Sequence, residues 1–129
     1  MKTPLIPISW GELFDKLTIL QIKLNNLQDR DALRNVKIEH DQLYVIYNSN
    51  FLEDKKAKLF IADLKQINEK LWDIEDKIRD KERKKIFDEE FIELARNVYI
   101  TNDQRSRIKR NINKTFQSYI IEEKSYEDY

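Results

Sequence analysis

The polar residues that follow Phe91 are the part of this chain best suited to binding: Glu93, Arg96, Asn97, Asn102, Asp103 and Arg105. Several fall where a helical apolar stripe should continue, and polar groups near a core must find hydrogen-bond partners. Guanidinium groups grip planar anions through paired bonds, so Arg96 and Arg105 could clamp a small anion or carboxylate. The more ordinary reading is an ion-pair network holding a helix–helix corner, because such networks resemble sites. Trp72 is the second candidate. It flanks an apolar stripe instead of sitting on it, so it either covers the edge of the core or anchors an interface.

Other chemistry-bearing residues have plainer readings. Asp73, Glu75 and Asp76 could ligate a hard cation or act as an acid–base pair. However, Asp73 precedes Lys77, and Glu75 precedes Arg79, by four residues, which predicts a solvated ion-paired face. His40 lies on an apolar stripe, and a general base would need a carboxylate partner and a cleft. A boundary histidine with one hydrogen bond is expected there. Arg105, Arg107, Lys109, Arg110 and Lys114 form the densest basic cluster, yet helical spacing spreads them around the axis.

Composition narrows the classes. The chain has 129 residues, with 24 Lys+Arg against 24 Asp+Glu, one His, one Gly, two Pro and no Cys. Balanced charge argues against a nucleic-acid partner, whose binding needs excess basic charge. No disulfide or Cys-based zinc site can form. A single glycine excludes Gly-rich phosphate loops. No catalytic residue, metal site or cofactor is expected. No segment approaches the ~20 apolar residues of a membrane helix. The opening MKTPLIPISWGEL is too short in its apolar run for a leader, so a cytoplasmic protein with no membrane contact is expected.

Long helices must position these residues. After Pro4, Pro7 and Gly11 the chain contains no further Pro or Gly, which disfavours tight turns. Trp10, Leu13, Leu17, Leu20, Leu24 and Leu27 follow a three-four spacing that puts them on one stripe. Leu33, Val36, His40, Leu43 and Tyr47 repeat it, as do Ala57, Phe60, Leu64, Ile67, Leu71, Ile74 and Ile78. After Phe91, Ala95 and Val98, the stripe resumes with Ile108, Ile112, Phe116 and Tyr119.

Ser9 with Glu12 reads as a capping box, with Ile8 and Leu13 as its staple. Asp29 or Asp31 should cap the second helix, and Asn50 with Glu53 should start the third. Asp88 should cap a fourth, with Phe87 and Ile92 as its staple. Thr101 with Gln104 either opens a fifth helix or lies within one that continues. Gly11, inside the first turn, predicts close contact with another backbone, the alternative being room for a ligand.

The expected architecture is all-α: one domain over residues 1–129, an antiparallel helical bundle or long helical hairpin of four to five helices. Residues 1–8 would form an extended arm and residues 122–129 a frayed tail. A third helix of ~45 Å needs cover along its apolar stripe, and a second copy of the chain is the simplest source of any cover the monomer lacks. A homo-oligomer is therefore expected.

The blocks ISWGELFDKLTILQIKL (Ile8–Leu24), INEKLWDIEDKIRDKE (Ile67–Glu82), FIELARNVYITNDQRSRIKRNIN (Phe91–Asn113) and EEKSY (Glu122–Tyr126) together resemble a small bacterial family of uncharacterised proteins. The resemblance implies a stand-alone helical domain and brings no catalytic residue, cofactor or substrate. It also implies a setting near sugar-transfer genes for cell-surface polysaccharide. All-helical mutases of the chorismate type are a poorer comparison, since residues 9–28 offer only Lys16 and Lys23 where those enzymes carry an Arg-bearing helix. The leading functional expectation is a protein–protein interaction or assembly module acting through apolar stripes and Trp72. The alternative is a binding protein or enzyme for a small anionic ligand, sugar-linked ones included, at the Arg96, Asn102 and Arg105 corner.

Overall fold

A computed structural model describes all 129 residues. It contains four helices: α1 (Trp10–Asn26), α2 (Arg30–Phe51), α3 (Lys55–Lys84) and α4 (Glu89–Thr115). There are no strands.

Each helix begins at a side-chain cap that satisfies a free backbone N–H. The Ser9 hydroxyl accepts from Glu12 at 3.1 Å. The reciprocal half of the expected box is missing, because the Glu12 carboxylate instead accepts from Lys109 at 2.9 Å. Asp29 accepts from Ala32, and Asp88 accepts from Phe91. The third helix is capped by Asp54, which accepts from Ala57 at 2.9 Å. Asn50 does not start it: α2 runs on to Phe51, and the Asn50 amide donates back to the Ile46 carbonyl at 2.8 Å. Phe87 and Ile92 flank the Asp88 cap as the expected staple pair. Both are exposed, and the Phe87 ring meets Phe91 edge-on at 5.1 Å.

The α4 helix is continuous through Thr101, so there are four helices and not five. Thr101 is fully buried and cannot act as a solvent-facing cap. After Thr115 the backbone turns, with Gln117 at φ 52°. Tyr119 is consequently thrown fully into solvent instead of continuing the apolar stripe.

The central element is α1, which packs against each of the other three helices. Against α2 it runs antiparallel, as Trp10 meets Phe51 while Lys16 reaches back to Glu39. Against α4 it also runs antiparallel, with Gly11, Glu12 and Asp15 facing Asn113, Lys109 and Arg105 in turn. The α3 and α4 helices form the second hairpin. Its turn is closed by Lys85 in the left-handed conformation, φ 56°, with Ile86 donating to the Lys81 carbonyl at 3.0 Å.

The core gathers at the end of the bundle where α1 begins. Phe14 lies edge-on to Phe51 at 5.1 Å, and Phe51 meets Phe116 at 4.7 Å. Such aromatic pairs contribute about 0.5–1.5 kcal/mol beyond their area burial.

Gly11 sits where α1 crosses α4. A Cβ there would lie 2.6 Å from the Lys109 carbonyl oxygen and 2.9 Å from Asn113 Oδ1. The missing side chain lets two helix backbones touch, as the residue's position in the first turn predicts.

Not all apolar surface is covered. Ile38 and Val45 on α2 and its C-cap residue Leu52 are spaced seven apart and are 56%, 64% and 60% exposed.

Candidate functional site

Two polar stripes face each other across the α1–α4 contact. On α1, Gly11, Asp15 and Thr18 follow a four-three spacing; on α4, Asn102, Arg105, Lys109 and Asn113 follow three-four-four. Each spacing keeps its residues on one side of the helix. Asn68 on α3 closes the third side. Asp15 is 1% exposed and would be costly to bury without partners.

The partners are present. Arg105 Nε donates to Asp15 Oδ1 at 3.0 Å, and Nη2 donates to Oδ2 at 2.6 Å, the two-pronged geometry in which such pairs are strongest. The Asn68 amide donates to Asp15 Oδ1 and to the Thr18 hydroxyl, each at 2.9 Å. Thr18 donates to the Asp15 carbonyl at 2.8 Å. Lys109 lies 3.9 Å from Asp15 and bridges Glu12 at 2.9 Å and Glu122 at 3.4 Å. Burial works against the Arg105 charge, but the hydrogen bonds and charge of Asp15, with Glu12 and Glu122 behind it, prevail and hold its pKa above the usual value.

Of this network, Asn68, Asn102 and Arg105 line a cleft of about 890 Å³ between α1, α3 and α4. Trp72, Leu71 and Val98 supply apolar wall, and the tail after α4 brings Tyr126 and Tyr129 to the rim. The tail is held along α4 by Lys109–Glu122 and Arg110–Glu123 ion pairs. At its end, the Tyr129 hydroxyl donates to Asp103 at 2.6 Å and its ring meets Tyr99 edge-on at 5.3 Å. Asp103 pushes the Tyr129 phenol pKa up.

Of the residues singled out in the sequence, Trp72, Asn102, Asp103 and Arg105 line this cleft together. Glu93, Arg96 and Asn97 do not. Glu93 and Arg96 pair with each other at 3.2 Å on open surface. The anion clamp cannot form, for two reasons. Arg96 and Arg105 are nine residues apart, which is half a turn out of phase on a helix. Arg105 is already neutralised by Asp15 and also donates to Asn102 at 3.2 Å.

Near Trp72, Glu75 pairs with Arg79 at 3.0 Å as its spacing predicts, while Asp73 and Lys77 form no ion pair. His40 has one hydrogen-bond partner, Asp41, at 3.1 Å, and its Nε2 is buried without one. It lies outside the cleft.

Asp15, Thr18, Asn68 and Lys109 carry no site signal in the sequence beyond their spacing. Thr18, Asn68 and Lys109 each sit one position from an apolar stripe, and Asp15 lies midway between Leu13 and Leu17, so the polar stripe reads only as helix surface. The signal available was the four-three spacing of Gly11, Asp15 and Thr18, which tracks the apolar stripe along the same helix.

A model for a family of unknown function, DUF6165, matches residues 4–129, and the chain belongs to that family. No curated protein and no solved structure matches it. No helix is long and apolar enough to cross a membrane.

Proposed function

We propose, from geometry alone because the family brings no activity with it, that the chain is a binding protein for a small organic ligand. The ligand lies in the cleft lined by Trp72, Asn102, Asp103 and Arg105. The observation that carries this reading is the cleft's construction: a large recess with aromatic wall, lined by Asn68 and Arg105, which are both held by the buried Asp15 carboxylate. Burying such a charge pair rarely stabilises a fold more than apolar packing would. It does fix donors and acceptors rigidly, which is what a binding site needs. The reading is binding without catalysis, in a cytoplasmic protein.

A thermal-shift screen against small metabolites of differing charge tests it. The proposal expects saturable stabilisation by at least one compound, lost in a folded Trp72→Ala variant. A broad screen with no Trp72-dependent hit contradicts it.

A second reading, assembly through a protein partner, is supported by the bare stripe of Ile38 and Val45 on α2 with Leu52 at its C-cap. Residues seven apart return to nearly the same side of a helix, as in two-stranded helical pairs. A second copy of the chain is the occupant this reading names. Light scattering at micromolar concentration should give a dimer mass that Val45→Asp reduces to the monomer; a monomeric wild type contradicts it.

A further inference from the structure

We propose that the cleft selects an organic ammonium ion with an apolar body, an inference that rests on the ligand-binding reading above. The lining carries four acids, Glu75, Asp76, Asp103 and Glu127, against two bases, Arg79 and Arg105. Both bases are already held by carboxylates: Arg79 by Glu75 at 3.0 Å and Arg105 by Asp15 at 2.6 Å. The field left over is negative. An anion entering the cleft would find no free cation, whereas a cation would find unmatched carboxylate.

Asn68 adds an acceptor of the same polarity. Asn68 is 95% buried, since only 5% of it is exposed, yet it lines the cleft. A carboxylate can only accept, so the amide must turn its NH₂ group toward Asp15. Both of those N–H groups are taken, by Asp15 and by the Thr18 hydroxyl. Its carbonyl Oδ1 receives no hydrogen bond from the protein and is the acceptor left for a ligand.

Asn68, Trp72 and Asp76 follow one another at four-residue spacing along α3. They form a row of acceptor, aromatic face and carboxylate. Tyr99 and Tyr126 add further rings to the lining. Aromatic faces attract cations through their negative quadrupole, and an ammonium group offers three donors and no acceptor. The Asn68 acceptor, the aromatic wall and the surplus carboxylate match that chemistry.

Calorimetric titration of the full chain with three probes sharing one aromatic body tests the inference: phenethylamine, phenethyl alcohol and phenylacetate. The amine should bind tightest and the alcohol about tenfold weaker, with the carboxylate weaker still. Asp76→Asn, at an exposed position that leaves the fold intact, should weaken the amine about threefold and leave the alcohol unchanged. Trp72→Ala should weaken both. If the alcohol or the carboxylate binds as tightly as the amine and depends on Trp72, the charge selection is overturned while the cleft remains a binding site. If no probe binds, or binding ignores Trp72, both readings fall.

Discussion

Replacing Gly11 with alanine is an unusually sharp test, because local and tertiary physics predict opposite signs. In a helix exposed to water, Gly→Ala stabilises by about 1 kcal/mol through backbone entropy. In this fold the new Cβ would sit 2.6 Å from a main-chain oxygen of α4, and main chain cannot swing aside as a side chain can. Carbon needs roughly 3.5 Å, so α1 and α4 must part by close to an ångström. Overpacking of this kind costs about 1–3 kcal/mol. The shift also strains the 2.7 Å bond from the Gly11 N–H to Asn113 Oδ1, a contribution of about 1 kcal/mol. Set against the propensity gain, the net loss is about 2 kcal/mol. At about 4 °C per kcal/mol for a chain of this length, the melting temperature should fall by about 8 °C. Urea and thermal unfolding followed by far-UV circular dichroism measure both quantities. An alanine variant as stable as the parent, or more stable, would refute the close α1–α4 crossing.

Other consequences are equally measurable. Asn68→Leu replaces a buried amide by a better helix former, yet should destabilise by about 1–3 kcal/mol in urea unfolding, because Asp15 and Thr18 lose a donor. Acid should release the tail. A hydrogen bond from Lys124 first, and the nearby Lys109 charge with it, hold the Glu122 carboxyl below its usual 4.5. A depressed folded-state pKa adds stability above the unfolded value that is lost as pH falls through the folded one. Amide resonances of Glu122–Tyr129 should therefore sharpen toward disorder below pH 4.5, and a tail unchanged down to the unfolding of the helices would contradict this. Tyr129→Phe removes the bond to Asp103 and should speed amide exchange in the tail while leaving that of α1 unchanged.

What the sequence disclosed follows from which forces are local. Apolar spacing identifies helices because helical geometry repeats every few residues, and Asp29 and Asp88 mark starts because a cap acts on the next turn. The Asn50 start fails because α2 had enough apolar side chains, Tyr47 and Phe51, to continue past it into the core. Glu12 leaves its capping role for Lys109, 97 residues away, a choice no local rule contains. Asp15 escapes notice for a related reason. A charged residue beside Phe14 and Leu17 reads as surface until it is known that α1 is enclosed on three sides. The grouping of Arg96 with Arg105 shows the reverse error, in which nearness along the chain stands in for nearness in space. The tail has no periodicity to read, and only its contacts with Lys109, Arg110 and Asp103 place it.

The latch between Asp15 and Arg105 joins α1 to α4 and holds Arg105 at the cleft. A double-mutant cycle of Asp15→Asn and Arg105→Gln, measured by urea unfolding, reads that latch directly. The two changes should be coupled by about 1.5 kcal/mol or more, as expected for a buried bidentate pair, whereas additivity within about 0.5 kcal/mol would contradict it.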